Sequence, residues 1–201
     1  KGPNYNAAMD AEATKASFEA SRKALGLAPN ATQSERDYIA AMSVRYTDKP
    51  DAVRADLDKA YSDAMRDLAK KYPDEDDAQT LFAESLMNLR PWQLWAKDGT
   101  PSDVTPEVLQ TLEKVLARNP QHIGAIHYYI HSTEASPNPE KAEPHADRLG
   151  KLIPGAGHMV HMPAHVYIRT GRYDDGVKVN IKAADLDREF VNWRKPGPMY
   201  R

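Results

Sequence analysis

The sequence predicts an all-α protein, and three observations carry that reading. Apolar residues recur at helical spacing along nearly the whole chain, and strand-like alternation is missing. The 15 prolines gather at the ends of these periodic segments. The segments are joined mostly by short connections that carry turn chemistry.

Taken in order, the pattern predicts about nine helices. The first spans 7–26 and stops at Ala28-Pro29-Asn30. The second spans 33–47 and stops at Asp48-Lys49-Pro50, and the third spans 51–72 and stops at Tyr72-Pro73-Asp74. A fourth over 75–90 opens with Asp74-Glu-Asp-Asp77, whose charge suits the positive end of the helix dipole. Residues 91–104 form the one long connection, an inserted loop in which Trp92 and Trp95 serve as a lid or as a hydrophobic plug. Thr105-Pro106-Glu107 has the order of an N-cap, a first-turn proline and a first-turn acid, and begins a helix over 105–118. Asn119-Pro120 ends it. Helices over 121–134, 139–152, 156–170 and 173–190 complete the chain.

The bulk composition excludes several classes. A formal net charge of −2 offers no footprint for nucleic acid or for a polybasic membrane contact. No apolar run approaches the ~20 residues that span a bilayer. Cysteine is absent, which removes disulfides, thiolate ligands and thiol nucleophiles. The chain opens on Lys1-Gly-Pro-Asn, so it reads as a fragment or processed form of one domain over 1–201. A periplasmic or secreted location stays open on the expectation that a signal peptide was removed.

Histidine distribution is the strongest chemical signal. All seven lie between His122 and His165. Five form two arrays at helical spacing: His127 and His131, followed by Glu134, and then His158, His161 and His165. Imidazoles one turn apart chelate Zn, Cu, Ni and Fe. The bland alternative is a polar surface on which histidines bond to Tyr, Glu and water. The array lacks the His-Glu-x-x-His order of zinc proteases, because Tyr128 stands where the catalytic Glu would. The expected centre holds one or two transition-metal ions, zinc or copper foremost, on His127, His131, His158, His161 and His165. Glu134 would ligate, act as a base, or orient an imidazole from outside the ligand set. His122 is a weaker candidate, and His145 is expected to be structural. Pro163 removes a helical N–H inside the second array and predicts a kink there. Met159 and Met162 are expected to pack rather than ligate.

The segment Tyr167-Ile-Arg-Thr-Gly171-Arg-Tyr173-Asp-Asp-Gly176, with Ala183 and Asp187, resembles a tetratricopeptide repeat. Lys71-Tyr-Pro73, Arg118-Asn-Pro120 and Leu152-Ile-Pro154 resemble ends of earlier units. The resemblance implies a right-handed superhelix of antiparallel helix pairs with a concave groove. A 34-residue register relates His127 to His161 and His131 to His165, so both arrays fall on groove-facing helices. Glu84 would fall in the row before them. The two histidine motifs, with Phe82-Ala-Glu-Ser-Leu-Met87, Leu89-Arg-Pro-Trp92 and Gly2-Pro-Asn-Tyr-Asn6, are similar to those of a family of bacterial tetratricopeptide-repeat proteins. That resemblance implies the fold and leaves the chemistry open. Function is therefore expected to be metal binding in the groove, with hydrolytic, copper-oxidative, or carrier and sensor roles open. The alternative is a non-catalytic scaffold that binds a peptide or protein partner. The expected occupant of the groove is a small molecule or a peptide.

Overall fold

The computed structural model describes residues 9–49 and 52–194. Gly2-Pro-Asn-Tyr-Asn6, Pro50 and the predicted starts of the first and third helices lie outside the described residues. Among the described residues there is no β-strand, only an isolated antiparallel bridge between Trp95 and Pro101. The helices are α1 (Ala11–Leu27), α2 (Gln33–Ser43), α3 (Arg54–Lys71), α4 (Asp76–Met87), α5 (Thr105–Arg118), α6 (Ile123–Thr133), α7 (Glu143–Leu152), α8 (Gly157–His161), α9 (Pro163–Tyr167) and α10 (Tyr173–Arg194). Each expected helix is present, the eighth as α8 plus α9. No helix among the described residues is long and apolar enough to cross a membrane.

The chain forms two compact units. The first comprises 1–94 with 102–108, and the second comprises 95–101 with 109–201.

In the first unit α1 packs on α2, α2 on α3 and α3 on α4. Asp10 caps α1 by accepting from the Ala13 amide at 2.7 Å. Thr32 and Glu35 form a reciprocal capping box that starts α2. Helix α2 ends earlier than the periodicity predicts, at Ser43 rather than near 47. Beyond it the Thr47 hydroxyl accepts from the Lys49 amide, a local bond that competes with the helix ladder. Helix α3 buries Tyr61, Met65 and Leu68, one stripe at helical spacing, and α4 buries Phe82, Leu86 and Met87. Each such side chain contributes roughly 1.5–3 kcal/mol on burial.

In the second unit α6 packs on α7, α7 on α8 and α9, and α10 on both α8 and α9. Its core takes Leu112 and Val115 from α5, Ile126 and Ile130 from α6, Leu149 from α7, and Val160, Met162 and Val166 from the α8–α9 region. Gly171, at φ +81°, makes the turn between α9 and α10. Behind that turn the Tyr167 hydroxyl donates to Asp147 at 2.7 Å, and Arg172 lies 4.1 Å over the Tyr167 ring. The Trp95 indole donates to the Ser132 carbonyl at 2.7 Å, and Gly99, at φ +84°, sits under Pro137. The 95–101 segment is thus fastened at the C-terminal end of α6.

Candidate metal centre

Helix α6 begins with His122 at the N-cap, where Nδ1 accepts from the Ala125 amide at 3.0 Å. His122 therefore does capping work. One and two turns further on, His127 and His131 share a face, and Glu134 occupies the C-cap. The last turn is tied down by the Arg169 guanidinium, which donates to the Glu134 carbonyl at 2.9 Å. His131 is almost fully buried at 3% exposure.

The second array is carried by α8 and α9. The ladder is interrupted at Met162, yet its φ and ψ of −50° and −38° remain helical. Pro163 has no N–H to give, and the His165 amide bonds to the Met162 carbonyl at 3.2 Å in a tighter turn. Helix α10 lies against α8 and α9 along one stripe: Gly176 faces Tyr167 of α9, Asn180 bonds His161, and Ala183 and Asp187 lie against Gly157 of α8. Gly157 permits the approach: a Cβ there would lie 2.1 Å from Asp187 Oδ1.

The two arrays meet. His127 Nε2 lies 3.1 Å from His158 Nε2, and His161 Nε2 lies 3.0 Å from His165 Nε2. The His131 ring sits beside both pairs, with its centroid 4.9 Å from His127 and 5.3 Å from His165. The Glu134 carboxylate bonds His131 Nδ1 at 3.0 Å through Oε1 and His165 Nδ1 at 2.6 Å through Oε2. His161 Nδ1 bonds Asn180 Oδ1 at 2.6 Å. Two groups have ligand atoms within 4.8 Å of one another: His127, His131 and His158, and His131, Glu134 and His165.

These bonds assign protons. Burial works to raise the Glu134 carboxyl. The hydrogen bonds from His131 and His165, with their charges, outweigh it and hold the group at about 2. Glu134 is therefore an acceptor only, so His131 and His165 carry hydrogen on Nδ1. Asn180 Oδ1 places the hydrogen of His161 on Nδ1 as well. The Nε2 atoms of His161 and His165 then face each other at 3.0 Å. A proton or a metal ion between two such nitrogens would hold them at that distance. Burial, followed by the neighbouring imidazoles, pushes His127 down to about 3. Burial and the other imidazoles lower His158 as well, against the opposing charge of Asp187. Both rings are neutral near pH 7, the form in which imidazole ligates.

All five array histidines and Glu134 are thus brought together. The partner of His127 is His158, rather than the register-equivalent His161. His145 stands apart: its Nδ1 is 2.7 Å from Arg148, and its ring meets Tyr129 edge-on. Met162 is fully buried in the core. Glu84 lies in the first unit, where its Oε1 accepts from Arg45 and Asn88. Asn180 and Asp187 escaped the sequence reading as site residues. Their signal was available: they alternate with the small residues Gly176 and Ala183 along one stripe of α10.

No family model matches the sequence, and no curated protein matches it. Solved structures do. One described as "Crystal structure of MamA" superposes with a TM-score of 0.59 at 15% identity, over 92% of this chain and 99% of that chain. Another, "MamA MSR-1 C2", gives 0.51 at 14% identity, over 84% of this chain and 94% of that chain. A third, "MamA AMB-1 P212121", gives 0.52 at 15% identity, over 87% and 93%. MamA is a tetratricopeptide-like protein, and what this chain shares with it is that all-α fold.

Proposed function

We propose that this chain is a tetratricopeptide-like scaffold that holds transition metal on His127, His131, His158, His161 and His165. The observation that carries the reading is the facing Nε2 pair of His161 and His165 at 3.0 Å, each with its other nitrogen committed as a donor. Two nitrogens bound to one ion at about 2.0–2.1 Å lie about 2.9–3.4 Å apart, for angles from square to tetrahedral. Both Nε2 pairs fall in that range. Five imidazoles without thiolate suit zinc or copper. Glu134 orients rings rather than acting as a base, because each of its oxygens already holds an Nδ1.

The test is elemental analysis of tag-free protein purified without chelator, beside a His131→Ala/His165→Ala variant. The reading expects stoichiometric zinc or copper in the wild type and its loss in the variant. Protein that carries no metal, and takes up none from added zinc or copper, overturns it.

A second reading has its own support. The fold is shared with MamA, and α10 leaves Tyr173, Val177 and Ile181 exposed in one row. A scaffold for a peptide or protein partner would use such a row. Partner binding that survives chelation and fails in Val177→Asp/Ile181→Asp would favour it.

A further inference from the structure

We infer that the centre takes two metal ions, one on His127 and His158 and the other on His161 and His165, with His131 and Glu134 between the halves. This rests on the metal reading above and commits it to a nuclearity and a division of ligands.

Ring positions carry the argument. An imidazole that ligates through Nε2 places its centroid about 3.2 Å from the ion, given a metal–nitrogen bond of 2.0–2.1 Å. Two rings on one ion are then about 4.5–5.2 Å apart at angles from square to tetrahedral. His127 and His158 are 5.1 Å apart, and His161 and His165 are 4.8 Å apart. Within each pair, one ion fits. Across the pairs it does not, because His158 and His161 stand 6.3 Å apart, a spacing open only to opposed ligands. A single ion that used both pairs would have to draw the rings inward.

The links fit the same division. His131 stands between the pairs, its ring 4.9 Å from His127 and 5.3 Å from His165 but 6.5 Å from His158, too far to share an ion with that ring. The Glu134 carboxylate holds His131 through Oε1 and His165 through Oε2. One anion thereby fixes His131 between the ions and orients a ligand of the second. Paired ions in proteins stand about 3.5–4 Å apart when a small oxygen ligand bridges them. Each ion, with two imidazoles, keeps open positions for such a ligand.

The experiment loads the full chain with copper(II) alone, removes excess ion, and counts metal by elemental analysis. Electron paramagnetic resonance is recorded on the same samples. The expected result is two equivalents in the wild type, with the dipolar broadening of two nearby spins. His158→Ala and His161→Ala should each fall to one equivalent and give a sharp isolated-spin spectrum. One equivalent in the wild type overturns the two-ion inference and leaves the metal centre standing. Two equivalents with isolated-spin spectra also overturn it, since the ions would then be far apart. No bound copper, with none of zinc either, overturns the metal reading itself. The wild-type count and spectrum together decide the matter whether or not either variant folds.

Discussion

The Arg45–Glu84 pair of the first unit and the histidine cluster of the second are built on different rules. In the first unit the Arg45 and Glu84 side chains are 7% and 6% exposed and pair at 3.1 Å. Asn88 donates to Glu84 at 2.6 Å, Arg45 lies 4.3 Å over the Tyr61 ring, and Arg54 donates to the Arg45 carbonyl at 2.7 Å. Donors meet acceptors, and the charges are opposite. In the second unit five imidazoles converge, and in at least one pair acceptor meets acceptor. The first cluster pairs its cation with its anion, through Glu84 Oε1. The second gathers imidazoles with a single carboxylate, Glu134, between them. Burial of polar groups alone therefore says little about function, whereas the direction of their lone pairs says a great deal.

The largest expected effect lies in the closed cluster. Glu84→Ala leaves the Arg45 cation buried and should cost about 3–5 kcal/mol. The double variant Arg45→Met/Glu84→Leu should recover most of that loss, because neither charge is then stranded. Urea unfolding of the first unit's signal decides it. A single variant within about 1 kcal/mol of wild type would refute the claim that this pair is sealed.

The open cluster should behave in the reverse sense. Zinc at a hundred times its dissociation constant should stabilise the protein by about 2.7 kcal/mol. For a chain of this size that is about 5–11 °C in melting temperature. His161→Leu removes one of two facing lone pairs. It should leave the chelated protein within about 1 kcal/mol of wild type while shrinking the zinc increment. A variant that loses several kcal/mol without metal would mean that the imidazoles are structural partners.

Much of this was readable in the sequence, and the reason differs by feature. Helix existence followed from periodicity and proline, and the single-turn spacings placed His127, His131, His161 and His165 on common faces. The 34-residue register related the arrays as equivalent positions, but which rings touch, such as His127 on His158, depends on side-chain placement that a register does not contain. Helix ends were less readable. Thr47 takes the Lys49 amide by a side-chain contact that no periodicity contains. The Asn180 contact to His161 spans 19 residues and depends on how closely α10 approaches α8.

The next effect is in pH. In the chelated protein His127 is held at about 3, against an ordinary 6.5, so the unfolded chain binds the extra proton between those values. Stability from this group is complete above pH 6.5 and is lost as pH falls toward 3. Glu134, at about 2 against 4.5, adds a loss of the same sign at lower pH. From pH 8 to 5 the His127 contribution amounts to at most about 2 kcal/mol, less whatever solvent screening removes. His127→Gln should therefore move the start of the acid limb downward. An unchanged limb, read from denaturation midpoints in chelator, would show that His127 is protonated in the fold.

The smallest expected effect separates two glycines, Gly157 of α8 against α10 and Gly176 of α10 against Tyr167 of α9. Gly176→Ala adds a Cβ at ordinary distance, 3.8 Å from the Tyr167 Cβ, inside a helix. It should be neutral or stabilise by up to about 1 kcal/mol through helix preference. Gly157→Ala gains the same preference but meets Asp187 Oδ1 at 2.1 Å and the Ala183 carbonyl at 3.1 Å. The Asp187 side chain can swing aside, whereas the Ala183 backbone cannot, so α8 must move outward by a few tenths of an ångström. The net cost should be about 1 kcal/mol. The sharper readout is metal affinity. His158 directly follows Gly157, while His165 lies beyond Pro163. Outward movement of α8 should therefore weaken the ion on His127 and His158 before the one on His161 and His165. Equal weakening of both ions would mean that α8 and α9 move as one body, and that the interruption at Met162 does not uncouple them.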